Sequence, residues 1–237
     1  MTTRALTFYR TTIGKKVVMA VSGLIGFGFL LGHMAGNLLT FVGPETYNAY
    51  AAALKGNPAL LWGTRITLLA AIVAHTVSAI ALVQRNNQAR RYAYGNKQDI
   101  ATSYAAKTMK YGGVWLLLFI VYHLLHLTGG WTEPLGYQFD PENVYNNLVL
   151  GFQNRFIALF YLLSMSALGM HLYHGLWSLT QSLGLDHPRY NTLRENAALA
   201  GTLVIILGFI TVPLSVMTGS LEPVDAGDIV ADAELAE

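Results

Sequence analysis

The 237-residue chain contains no cysteine. That removes thiolate-bound zinc, iron–sulfur clusters, structural disulfides and covalently attached c-type haem from the chemistry this chain can hold by itself. Any redox centre within it must use histidine or methionine. Charge is also scarce, at 12% of residues against 53% hydrophobic. The few charges crowd into short stretches and leave uncharged intervals from Lys16 to Glu45, Arg65 to Arg85, Lys110 to Glu133, Arg155 to Asp186 and Glu195 to Glu222. Acidic side chains are missing from the middle of every interval. Strict alternation of apolar and polar residues is missing too, which argues against strands of a lipid-facing barrel.

What remains is five apolar segments, each able to cross a hydrocarbon core that takes roughly 20 helical residues. Backbone groups in lipid must be satisfied internally, so the segments are expected to be helices. The fold class expected is an all-α bundle of five transmembrane helices in one domain, with spans near 16–42, 59–84, 107–131, 153–184 and 196–220. Residues 221–237 form an acidic tail expected to be weakly ordered. The first segment is far longer than a signal-peptide core and shows no convincing small-residue cleavage site, so it is expected to remain as the first helix. Breakers at Gly43-Pro44, Asn57-Pro58, Glu133-Pro134, Asp140-Pro141 and His187-Pro188 place the loops.

Twelve of the fifteen Lys and Arg fall on one side if the helices alternate in direction: those at 4, 10, 15, 16, 85, 90, 91, 97, 107, 110, 189 and 194. Lys55, Arg65 and Arg155 lie on the other side, with most of the acidic residues. The positive-inside rule then puts the N-terminus in the cytoplasm and the C-terminus outside. Attraction to anionic lipid accounts for most of this charge, and Lys15, Lys16, Arg90, Arg91 and Lys107 are the candidates for docking a partner or contacting a cofactor carboxylate.

Six of the seven histidines fall inside the apolar segments: His33 in the first, His75 in the second, His123 and His126 in the third, His171 and His174 in the fourth. One such histidine is explained as well by a neutral imidazole bonded to a neighbouring helix as by function. Six on four successive helices favour function. Counting 1.5 Å per residue from the basic ends puts His75 and His171 at roughly 15 Å depth, and His33 and His123 at roughly 20–26 Å. Two layers with two histidines each match the needs of two bis-histidine haems of b type, since each iron takes an axial ligand from either side of the ring.

The neighbours of these histidines are small. Gly26 and Gly36 share the face of His33, with Gly28 and Gly32 nearby; Ala71, Ser78 and Ala79 share that of His75; Ser164, Ala167, Gly175 and Ser178 that of His171. Gly26 and Gly36 are therefore candidates for packing against a haem. In the third segment His123 has bulky neighbours while His126 precedes Gly129 and Gly130, so neighbour size favours His126 and spacing does not choose. In the fourth, the same argument favours His171 and leaves His174 for a haem propionate or a quinone carbonyl.

The run Thr11-Thr12-Ile13-Gly14-Lys15-Lys16-Val17-Val18-Met19-Ala20-Val21-Ser22-Gly23, followed by Gly32-His33-Met34-Ala35-Gly36-Asn37-Leu38 and Phe41-Val42-Gly43-Pro44-Glu45, resembles the single-chain, di-haem cytochrome b subunit of succinate dehydrogenases and fumarate reductases. Ala74-His75, Tyr122-His123, and His171 with Gly175-Leu176-Trp177-Ser178 extend the likeness over residues 8 to 220. The resemblance implies His33 with His123 as ligands of the outer haem and His75 with His171 as ligands of the inner one, choosing His123 over His126. It implies electron transfer between an iron–sulfur subunit and membrane quinone, menaquinone being expected, in a bacterial cytoplasmic membrane. A flavoprotein with covalent FAD, where succinate and fumarate interconvert, and the iron–sulfur subunit would sit on the cytoplasmic face. Glu45, Arg65 and Arg155 are the candidates for an outer quinone pocket, and interfacial anchoring explains them equally well. Other readings of the histidines are a di-haem cytochrome b serving a hydrogenase or formate dehydrogenase, a histidine-relay transporter, and a cofactor-free anchor.

Overall fold

The computed structural model describes residues 7–89, 104–132 and 136–224. Arg90, Arg91, the Glu133-Pro134 breaker and the tail from residue 225 onward lie outside the described residues. Among the described residues the regular structure is entirely helical. Five long helices carry the fold: α1 (Thr12–Leu38), α3 (Pro58–Gln88), α4 (Tyr104–Leu127), α6 (Arg155–Ser182) and α7 (Asn191–Met217). All five are long and apolar enough to cross a membrane, which makes this a multi-pass membrane protein. Two shorter helices, α2 (Pro44–Lys55) and α5 (Val144–Gln153), stand where the sequence suggested only loops.

Each start has a local cause. Thr11 caps α1 by accepting from the Gly14 amide at 2.9 Å, and Asn57, Asn143 and Asn154 cap α3, α5 and α6 in the same way. Pro44 and Pro58 sit in the first turn of α2 and α3, where a missing amide hydrogen costs nothing. The breakers thus end one helix and begin the next.

Side-chain bonds fix which helix ends meet. The Arg85 guanidinium donates to Thr12 Oγ1 at 3.1 Å and to the Arg10 carbonyl, and Tyr9 Oη lies 3.5 Å from Ser78 Oγ, joining the start of α1 to the end of α3. Arg194 Nε donates to Thr180 Oγ1 at 2.8 Å, joining the start of α7 to the end of α6. This is the basic end. At the opposite end α2 and α5 lie against each other, with the Tyr145 amide donating to Asn48 Oδ1 at 3.0 Å. Tyr145 Oη donates to the Glu222 carbonyl and Asn146 Nδ2 to that of Val224, so the chain beyond α7 is tied to the same end.

The hydrophobic core sits towards this second end, built from Tyr47, Phe119, Tyr145, Val149, Phe152, Ala158, Tyr161 and Val212 among others. Large apolar side chains elsewhere point outward, Phe156, Ile13, Leu69 and Leu203 among them, as lipid-facing residues do. α1 packs along α3 and α7, and α6 along α7 and α4. The helix pairs α1/α4 and α3/α6 do not pack along their lengths. These are the pairs whose histidines meet.

Candidate functional site

His33 of α1 and His123 of α4 face each other with ring centres 5.8 Å apart and planes at 81°. His75 of α3 and His171 of α6 do the same at 6.0 Å and 55°. Two imidazoles bound through nitrogen to opposite sides of one metal, at about 2.0 Å each, would put their ring centres roughly 6.4 Å apart. Both pairs come close to that separation across helices that otherwise hardly touch. No group of three or more His, Asp or Glu among the described residues is placed to hold a bare ion.

His75 Nδ1 lies 3.0 Å from the Met19 carbonyl and 3.3 Å from Ser22 Oγ. The carbonyl can only accept, which places the ring proton on Nδ1 and leaves Nε2 with a free lone pair, the state of a metal-binding imidazole. The His75 ring packs beside Gly23, where a Cβ would stand 3.4 Å from its Cε1, an ordinary contact. Among the described residues His171 has no hydrogen-bond partner, and its Nδ1 is buried. An orphaned buried nitrogen costs about 1–3 kcal/mol, which a ligand that engages the ring removes.

His33 stacks on Phe29 with ring centres 5.2 Å apart and borders Phe209 of α7. Asn37 Nδ2 approaches its Nε2 at 3.4 Å but bonds more closely to the His33 carbonyl, at 2.8 Å. Asn37 Oδ1 accepts from Tyr47 Oη at 3.0 Å, so α2 braces the end of α1. Burial, reinforced by Tyr50, pushes the Tyr47 phenol up to about 12, so it stays a neutral donor there.

His126 is placed differently. It is 1% exposed, its Nδ1 lies 3.0 Å from Tyr161 Oη and its Nε2 3.0 Å from Tyr137 Oη. Both nitrogens are engaged, so neither is available to a metal. Gly129 and Gly130, whose small size favoured His126 as a ligand, lie in the turn after α4: Gly130 has φ +68°, and a Cβ on it would strike the Phe139 ring at 2.8 Å. His174 has no hydrogen-bond partner among the described residues and is half-buried three residues beyond His171.

The small neighbours divide into two kinds. A Cβ on Gly26 or Gly175 would meet nothing within 4 Å, which leaves open space on the faces of His33 and His171. Gly36, in contrast, is covered by the Tyr50 ring, 2.9 Å from where its Cβ would be, so it packs α2 rather than bordering a cofactor space. Ser164 is fully buried and accepts from Trp115 Nε1 at 3.1 Å, which ties α6 to α4. Glu45, Arg65 and Arg155 are exposed and form no ion pair or hydrogen bond with one another; Arg65 lies over the Trp62 ring, 5.2 Å from its centre.

At the basic end, Lys15 is buried, donates to the Tyr9 carbonyl at 2.9 Å and covers the Tyr9 ring, so it braces the N-terminal segment. Lys16 is exposed. Arg194 stacks on Trp177 and bonds Thr180 and Asn191, yet its second terminal nitrogen is buried with no acceptor. A carboxylate at this point would complete it. Tyr161, Tyr137, the Met19 carbonyl and Arg194 are the site groups that sequence reasoning missed. No family model, curated protein or solved structure matches this chain.

Proposed function

We propose that the chain is a membrane electron carrier holding two haems of b type, His33 with His123 binding one and His75 with His171 the other. The observation that carries this reading is the pair of facing histidine couples, each bridging two helices that do not otherwise pack. Haem b, when bound, supplies one-electron chemistry at iron. The chain's own residues supply the rest. His75 is held in the ligating tautomer by Met19, Gly26 and Gly175 keep backbone close to the open space, and Arg194 offers an unmet donor to an anionic edge at the basic end. The hydrocarbon around the bundle excludes water from both centres.

The N-terminal and histidine motifs extend the proposal to the membrane subunit of a succinate:quinone oxidoreductase, exchanging electrons between a cytoplasmic iron–sulfur subunit and quinone. Its basic end would face the cytoplasm. The test is a reduced-minus-oxidised absorbance spectrum of the purified full-length chain, with haem counted per polypeptide. The expected result is a b-type spectrum with two haems per chain. A chain purified without haem overturns the reading and favours an anchor. Haem without succinate:quinone activity in the intact complex would assign it to another quinone-linked dehydrogenase.

A further inference from the structure

His75 finds its hydrogen-bond acceptor on the backbone, but His123 finds one through a chain of side chains. His123 Nδ1 lies 3.4 Å from Tyr161 Oη, Tyr161 Oη lies 3.0 Å from His126 Nδ1, and His126 Nε2 lies 3.0 Å from Tyr137 Oη. The chain starts on α4, crosses to α6, returns to α4 and leaves the membrane-spanning region at the loop before α5. We infer that His126 is a positioning residue for His123, acting through Tyr161 and anchored to the outer loop by Tyr137. The inference rests on the reading of His123 as an iron ligand.

Counting donors fixes the direction of the chain. A His123 that binds iron through Nε2 carries its proton on Nδ1 and must donate to Tyr161 Oη. Tyr161 then gives its own hydroxyl proton to His126 Nδ1, and His126 donates from Nε2 to Tyr137. Every donor points away from the metal, and each proton is used once. Only an imidazole presents an acceptor and a donor on opposite edges of one ring; a glutamine amide carries both at one tip and would reach a single tyrosine. Water cannot substitute, because His126 is 1% exposed and a Cβ on Gly151 would stand 2.8 Å from its Nε2. Burial, with neighbouring Tyr122 adding to it, pushes the Tyr137 phenol up to about 12, so the outer anchor stays neutral.

Donation from Nδ1 makes the ring a stronger base towards iron and favours the ferric state. Removing the acceptor therefore favours the ferrous state at one haem and leaves the other unchanged. The test is a spectroscopic redox titration, with electron paramagnetic resonance of the ferric haems, on the intact complex carrying Tyr161→Phe, His126→Leu or Tyr137→Phe. Tyr161→Phe is expected to shift the ferric–ferrous equilibrium of one haem about tenfold towards ferrous, which is about 59 mV for one electron. His126→Leu should move the same haem the same way by less, and add nothing to Tyr161→Phe in the double variant. Two haems should remain in each. Unmoved potentials and resonance signals with both haems present overturn the inference alone, as does an equal shift of both haems or the loss of one haem in His126→Leu. Absence of haem from the unaltered chain overturns the underlying reading instead. Should His126→Leu fail to assemble, Tyr161→Phe and Tyr137→Phe decide, since each removes a single oxygen.

Discussion

A histidine in hydrocarbon is costly where its ring nitrogens lack partners, and the described histidines differ in how far that demand is met. His126 uses two tyrosine hydroxyls and is complete as it stands. His75 uses a backbone carbonyl on one edge, and His171 uses nothing. Facing a second imidazole across two helices, as His33 faces His123 and His75 faces His171, is what sets the candidate ligands apart from His126 and His174. If the proposed haems are bound, His33→Ala and His123→Ala are each expected to remove the same one, and His75→Ala and His171→Ala the other, because each iron would need both axial bonds. His126→Ala should keep both. Haem counts and spectra of the five variants check this, and loss of a haem in His126→Ala would reverse the assignment in α4. The pairing of His33 with His123 was legible from residue spacing only as a shared depth. Residue spacing did not separate His126 from His123, because the partners of His126 are Tyr137 in a loop and Tyr161 on another helix. The size of Gly130 carries no information about a ligand, since a glycine needed for a left-handed turn looks the same in sequence as one that makes room.

Spacing between charges sufficed to locate the five spans, because a hydrocarbon core sets a length that charge cannot interrupt. The same signal is blind to α2 and α5. Their 12 and 10 residues are too short to span, and their apolar faces are satisfied by each other and by the ends of α1, α6 and α7. Proline added to the error, for Pro44 and Pro58 read as loop residues and instead occupy first turns. The boundary between α5 and α6 depends on one side chain. Asn154 leaves helical geometry at ψ 106° and its Oδ1 accepts from the amides of Phe156 and Ile157 at 3.1 and 3.4 Å. Asn154→Ala removes both bonds and is expected to destabilise the bundle by about 1 kcal/mol. Thermal unfolding in detergent, monitored by helical circular dichroism, should show a lowered midpoint, whereas Asn154→Asp should restore it. An unchanged midpoint in the alanine variant would mean that packing against α5, not the cap, starts α6.

At the scale of the whole molecule the two histidine couples are displaced along the bundle as well as across it. His75 is held against Met19 and Ser22, near the basic end of α1, while His33 lies eleven residues beyond Ser22 on the same helix, about 16 Å at 1.5 Å per residue. The first couple borders the basic end, and the second is tied through Tyr161, His126 and Tyr137 to the loops at the other. An anchor needs no such pair of stations. If both hold haem, the chain is an electron path across the membrane, from a partner at the basic end to quinone near the opposite face. Turnover would then move charge through the membrane potential, at about 2.3 kcal/mol per charge per 100 mV. The alternative within the same reading is that quinone reacts only near the His75 couple and the His33 couple is a side station. Reconstituting the whole complex in sealed vesicles separates them, with succinate:quinone turnover measured as the potential is varied, in the unaltered protein and in His33→Ala. The expected outcome is a rate that depends on potential and falls sharply in the variant. A rate indifferent to potential, and preserved without the outer haem, would exclude transmembrane electron transfer as the purpose of this arrangement, because a station that can be removed without cost is not on the path.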